Sequence, residues 1–154
     1  MDRKRIVFIP VDSSEHSERA FRWYQSNSKR PNDQVIIFNA YSEVTLPSVS
    51  LSEPGVVPSA QWMEIINKRN KENMALCDKY QNFLTETQTS GKFENCEAKN
   101  PGQSICENAK KHNADCIVMG SRGLGTLRRT ILGSVSDFVL HHANLPVTIV
   151  PPEK

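Results

Sequence analysis

Four short apolar runs constrain the fold of this chain more than any other feature: residues 5–11 (RIVFIPV), 34–41 (QVIIFNAY), 114–119 (ADCIVM) and 146–150 (PVTIV). Each is too short for a helix, rich in β-branched or aromatic residues, and close to continuously apolar where a half-exposed strand would alternate. Continuous apolarity is what a strand buried on both faces requires, and such strands belong to parallel sheets. Parallel neighbours need crossovers of about a dozen residues or more, usually helical. Helical patterns do stand between the runs. Residues 14–27 place Ala20, Trp23, Tyr24 and Asn27 on one face after an Asp-Ser-Ser stretch of N-cap candidates. Residues 61–87 carry Trp62, Ile65, Ile66, Met74, Leu76, Cys77, Tyr80 and Leu84, most of them on one stripe. Ser104 and Glu107 have the form of a capping box for a helix reaching about His112. Ile131, Val135, Phe138, Val139 and His142 mark a last helix, and residues 92–98 offer a weaker fifth strand. The order βαβαβαβαβ predicts an open, mostly parallel α/β sheet with helices as crossovers.

At 154 residues the chain suits a single domain over 1–154, and 38% hydrophobic with 23% charged residues lies outside the disordered regime. A net charge of +2 and a pI near 8.4 do not indicate a nucleic-acid binder, and no aromatic-and-basic platform is visible. The basic start followed by an apolar stretch ends at Asp12 without an A-x-A-like site, which favours a first strand over a signal peptide. No apolar run approaches the roughly 18 residues of a membrane span. Four cysteines without a C-x-x-C pair read as buried, reduced thiols and suit the cytoplasm. Residues 42–59, with three prolines, follow the second strand off the carboxyl edge of the sheet, as a lid or as a surface loop without a role.

Residues 120–134, GSRGLGTLRRTILGS, lie between the third apolar run and the last helical pattern. A glycine-rich loop there lets backbone approach a ligand, and the following helix start offers unpaired N–H groups to an anion. A Walker A loop is excluded, because Gly91-Lys92 continues into Phe93. The dinucleotide fingerprint fails as well, since Gly123-Leu-Gly125 continues Thr-Leu-Arg128 after a late strand. What fits is Gly120-x2-Gly123-x9-Gly133-Ser134, a phosphate cradle. Ser134, with Asp137 three residues on, serves as N-cap, as phosphate donor, or as both. Gly125 is a turn residue, and Arg128 and Arg129 belong to a solvated rim, whereas Arg122 lies inside the loop. His16 and His112 read as surface residues; His141 and His142 suit a helix C-terminus.

The stretches 6–14 (IVFIPVDSS), 35–40 (VIIFNA), 114–123 (ADCIVMGSRG), 132–136 (LGSVS) and 145–151 (LPVTIVP), with the 2-and-9 glycine spacing, resemble the universal stress protein family in its ATP-binding subgroup. The resemblance runs over essentially the whole chain. It implies a five-stranded parallel, Rossmann-like sheet with helices on both faces, and a homodimer paired through the last strand, Val147 to Val150. It implies ATP or another adenine nucleotide as ligand, with Mg²⁺ carried by the nucleotide. By family position Asp12 would bond the ribose and Pro10 and Val11 would border the adenine. The Ala40 backbone would meet the adenine edge, and Met119 and Gly120 would lie under the nucleotide. Arg122, Gly123, Gly133, Ser134, Val135 and Ser136 would surround the phosphates. Read from the residues alone, Asp12 is equally an N-cap of the first helix. Asn39 replaces the family's frequent histidine and Ala40 its usual valine. The function implied is a nucleotide-dependent stress or signalling role through unknown protein partners, with no nucleic acid or membrane. The alternatives are a slow ATPase and a dimeric interaction module without nucleotide. No group is placed to position water at a γ-phosphate, so no catalytic residue is assigned.

Overall fold

A computed structural model describes residues 3–44, 59–121 and 132–153. Five strands, β1 (Ile6–Pro10), β2 (Gln34–Tyr41), β3 (Gly91–Glu97), β4 (Cys116–Gly120) and β5 (Val147–Val150), form one parallel sheet in the order β3-β2-β1-β4-β5. Four helices cross over between them: α1 (Glu15–Asn27), α2 (Ser59–Glu86), α3 (Pro101–Lys111) and α4 (Ser134–His142). The expected fold class and element order are both present. Most of the 42–59 loop, together with Arg122, Gly123, Gly125, Arg128, Arg129 and Ile131, lies outside the described residues.

Strand alternation divides the core into two layers. Val7, Ile9, Val35, Ile37 and Val118 face α1 and α2, meeting Ala20, Phe21, Tyr24, Leu76, Tyr80 and Leu84. Phe8, Ile36, Phe38, Ile117 and Met119 face α3 and α4, meeting Ile105, Ala109, Val139 and Ala143. Both faces are covered, which accounts for the continuous apolar runs. Burying each large side chain contributes about 1.5–3 kcal/mol. The inner strands are mostly apolar; β3, at one edge, alternates as GKFENCE and is half exposed.

Local details depart from the sequence expectation in four places. The buried face of α1 is Ser17, Ala20, Phe21 and Tyr24, with Asn27 exposed. On α2 the stripe holds only over Leu76, Tyr80 and Leu84, while Ile66 and Met74 are exposed. α3 begins three residues before Ser104: Asn100 caps it, accepting from the Gln103 amide at 3.1 Å, and Pro101 takes the first helical position, where its missing N–H costs nothing. Ser104 instead lies buried against Cys96, with Oγ and Sγ 3.1 Å apart. His112 is not a surface residue, since its side chain is 15% exposed and Nε2 stands 2.8 Å from Glu94. The four cysteines are free and half-buried; burial pushes the Cys77, Cys106 and Cys116 thiols up. No helix among the described residues is long and apolar enough to cross a membrane.

Candidate functional site

The chain steps outward from β1 through β2 to β3, then returns to place β4 and β5 on the other side of β1. α1, which follows β1, and α4, which follows β4, therefore lie on opposite faces, and a crevice opens at the carboxyl edge between them, where ligands bind in such sheets. A cleft of about 500 Å³ lies there, within the usual range for small-molecule sites. Ten of the residues predicted from sequence line it: Pro10, Val11, Asp12, Ala40, Met119, Gly120, Gly133, Ser134, Val135 and Ser136. Arg122 and Gly123 lie outside the described residues.

Asp12 follows β1 directly. Its Oδ1 accepts from the Ser14 amide at 2.9 Å, from Ser17 Oγ at 2.8 Å and from Ser14 Oγ, and its own amide donates to Ser17 Oγ at 2.9 Å. The N-cap of α1 is Ser14 rather than Asp12, and no Ser14 side-chain bond caps the helix, because that hydroxyl turns back to the carboxylate. Asp12 thus shapes the turn into α1 and holds a carboxylate at the mouth of the cleft. His16, in the first helical turn, also lines the cleft.

The N-terminus of α4 enters from the opposite side. Gly133 is its N-cap, with φ −63° and ψ 153°, so Ser134 is the first helical residue and not the cap. The amides of Ser134, Val135 and Ser136 have no intrahelical acceptor and carry the positive end of the helix dipole. Ser134 is exposed, whereas Ser136 is 3% exposed and donates its hydroxyl proton to the Gly133 carbonyl at 3.0 Å. The two glycines differ. A Cβ on Gly120 would collide with the His16 backbone, while one on Gly133 would meet, among the described residues, only Ser136 Oγ, at 3.6 Å. Internal packing explains the first glycine and not the second.

Sequence reasoning missed one wall. α2 has 28 residues, about 42 Å, against about 23 Å for the seven-residue strand that follows it, so its N-terminal part overhangs the carboxyl edge. Arg69, Glu72, Asn73 and Leu76 line the cleft from there. Their i, i+3, i+4, i+7 spacing continues the Leu76–Tyr80–Leu84 stripe, and the change from apolar to polar along that face was the available signal. Arg69 donates to the Ser42 carbonyl and lies 5.5 Å from the Tyr41 ring centroid. Asn39, 5% exposed, also lines the cleft; its Nδ2 donates to the Val11 carbonyl at 2.8 Å, and its Oδ1 has no partner among the described residues. No cluster of metal-ligating side chains occurs among the described residues.

The model of the universal stress protein family matches residues 3–151. Universal stress protein MJ0531 of Methanocaldococcus jannaschii is 31% identical over 151 residues, covering 98% of this chain and 84% of that protein. The matches to Slr1101 of Synechocystis, 45% identical over 60 residues and 36% of this chain, and to PHOS34 of Arabidopsis thaliana, 27% identical over 96% of this chain, span only 56% and 62% of those relatives. Among solved structures, a universal stress protein family protein from Arabidopsis thaliana with AMP bound superposes with a TM-score of 0.67 at 20% identity, covering 97% of this chain and 92% of that one. A universal stress protein in complex with cAMP gives 0.67 at 23% identity, covering 95% and 96%. At these identities the structural likeness speaks for the fold.

Proposed function

The chain belongs to the universal stress protein family, and we propose that it is an adenine-nucleotide-binding member that holds ATP, with its accompanying Mg²⁺, in the cleft between the ends of β1 and β4. The observation that carries this reading is the convergence in one cleft of the Asp12 carboxylate and the open amides of α4 behind Gly133. A helix start with no side chain at its cap receives an anion without further adaptation. A carboxylate across the cleft suits hydroxyl donors, such as those of a ribose. Val11, Met119 and Val135 supply apolar surface between them. Relatives of the same fold hold AMP and cAMP, which supports the adenine class.

In this reading Asp12 accepts from the ribose, Pro10, Val11 and Ala40 border the base, and Met119 and Gly120 lie beneath the nucleotide. Gly133, Ser134, Val135 and Ser136 receive the phosphates, together with Arg122 and Gly123. Bound ATP supplies several negative charges and a Mg²⁺-binding group, and the occupied cleft changes the surface shown to protein partners in a cytoplasmic stress response. The chain acts as a dimer joined along β5.

Native mass spectrometry of freshly purified protein, with and without ATP and Mg²⁺, tests the binding. The expected result is a one-to-one nucleotide adduct and a melting temperature raised by several degrees at saturating ATP, as follows when a ligand binds only the folded state. Absence of any adduct, with an unchanged melting temperature at millimolar ATP, would overturn the reading.

A further inference from the structure

His16, read from the sequence as a surface residue, lines the cleft, and one of its two ring nitrogens is already committed. Arg19, one turn along α1, holds Nη2 3.1 Å from His16 Nδ1 and donates from the same nitrogen to the Ser121 carbonyl at 3.2 Å. A guanidinium has donors and no acceptor, so Nδ1 has to accept, and the neutral imidazole then carries its proton on Nε2. The tautomer is assigned by this hydrogen-bond network. Nε2–H itself has no hydrogen-bond partner among the described residues.

The surroundings of the ring say which part of the cleft that donor serves. A Cβ on Gly120 would stand 3.2 Å from His16 Cβ as well as against its backbone, so the side chain leaves α1 beside the last residue of β4. Along the carboxyl edge β4 is separated from β2 by β1, which sets His16 apart from Ala40 and on the side of Gly120. Arg19 does not line the cleft; it lines a second groove, with Trp23, Val150 and Pro151. The two nitrogens of an imidazole point away from each other across the ring. With Nδ1 turned to Arg19, Nε2–H is turned to the cleft that His16 lines.

We propose that His16 donates Nε2–H to a phosphate oxygen of the bound nucleotide, an assignment that rests on the nucleotide reading above and adds a donor from α1 to the amides of α4. A phosphate oxygen only accepts here, so the opposite tautomer would set lone pair against lone pair. Arg19 is a positioning residue: it fixes the useful tautomer before the ligand arrives, which spares binding that ordering cost.

The test combines histidine-selective ¹⁵N NMR of the full chain at about pH 8, well above the ordinary imidazole range, with calorimetric titration of adenosine, AMP and ATP, adenosine being measured by competition where it binds weakly. In the free protein His16 should show a protonated Nε2 and a bare Nδ1, and Arg19→Met should mix the two tautomers. His16→Ala should weaken the phosphorylated ligands about tenfold, as loss of a hydrogen bond to a charged group does, and leave adenosine within about 2-fold. His16→Gln, whose amide N–H reaches the place of Nε2, should restore affinity to within about 3-fold, and His16→Asn, which reaches only the place of Nδ1, should not. The Gln and Asn pair decides the matter if His16→Ala does not fold. The assignment is overturned by an Nδ1–H tautomer in wild type, by a His16→Ala protein that binds all three ligands like wild type, by equal losses for adenosine and ATP, or by equal behaviour of the Gln and Asn variants. Failure of wild type to bind any of the three, with the expected tautomer still present, overturns the nucleotide reading instead.

Discussion

A Cβ built on Gly120 would stand 2.2 Å from the carbonyl oxygen of His16. The last residue of β4 therefore touches the first turn of α1 backbone to backbone, and that contact sets the floor of the cleft. Because the opposing atom is main chain, no rotamer change relieves the clash. Gly120→Ala is expected to destabilise the chain by about 1–3 kcal/mol, as overpacking does. Gly133→Ala, with ordinary contact at 3.6 Å, should change stability by less than about 1 kcal/mol and weaken ATP binding about tenfold. Urea unfolding and calorimetric titration of both variants check the contrast; equal stability losses would show that both glycines serve packing.

Asp12 shapes the turn into α1, and substitution can separate that duty from the ligand role proposed for it. Its Oδ1 takes three hydrogen bonds from Ser14 and Ser17, so Asp12→Ala should cost about 1–2 kcal/mol of stability by loosening the entry to α1. Asp12→Asn keeps an oxygen for those donors and gives up the charge facing the cleft. It should retain most of the stability while nucleotide affinity falls about tenfold. Thermal unfolding beside nucleotide titration is the measurement, and an Asp12→Asn protein that binds ATP like wild type would remove Asp12 from the ligand site.

These contrasts also mark what a sequence can carry. β2 is legible because both its faces are buried, so that the apolar run Val35 to Phe38 marks its centre. β3 is faint because one edge of it meets water and its side chains alternate. The start of α3 shows two overlapping signals, Asn100-Pro101 and Ser104-x-x-Glu107; which one caps is decided by the burial of Ser104 against Cys96, a tertiary contact. Asp12 and Gly133 are legible as cleft residues because each stands at a strand end or helix start. Arg69 and Glu72 are not, since their place depends on how far α2 overruns the sheet. The unmatched oxygen of Asn39 is a relation to Val11 that no local pattern encodes.

At the opposite edge of the sheet, Asp33 is a buried carboxylate with its charge fully answered. Its side chain is 2% exposed and accepts from Arg5 at 2.8 and 2.5 Å, from the Tyr24 hydroxyl at 2.8 Å and from the Arg30 amide at 2.9 Å. Burial alone would raise its pKa; the guanidinium, amide and hydroxyl donors outweigh it and hold the carboxyl below its ordinary value of 3.8. A depressed folded pKa contributes stability that is complete above the unfolded value and is lost as pH falls through the folded one. Asp33→Asn should cost about 3 kcal/mol at pH 7 by leaving Arg5 poorly matched. The gap to wild type should narrow below about pH 4. Urea unfolding from pH 7 to pH 3 measures it, and a gap constant across that range would argue against the charge as its source.

The open edge of β5 supplies the last test, of the dimer. Among the described residues β5 pairs with β4 on one side only. The Ile117 and Ser121 amides donate to Pro146 and Val150, which puts the Thr148 and Val150 amides on the β4 side and leaves those of Val147 and Ile149 facing outward. An unpaired edge of this kind is a template for another strand, and a second copy of β5 is the proposed occupant. Proline is tolerated at an edge where its missing N–H would have faced out, so Ile149→Pro should spare the β4 ladder while removing a donor from the dimer seam. Ile149→Ala loses a similar amount of the packing beneath it and keeps the amide. Light scattering should give twice 17.4 kDa for wild type and Ile149→Ala and 17.4 kDa for Ile149→Pro, with circular dichroism unchanged. A wild-type mass of 17.4 kDa, or an Ile149→Pro protein that stays dimeric, would rule out pairing through this strand.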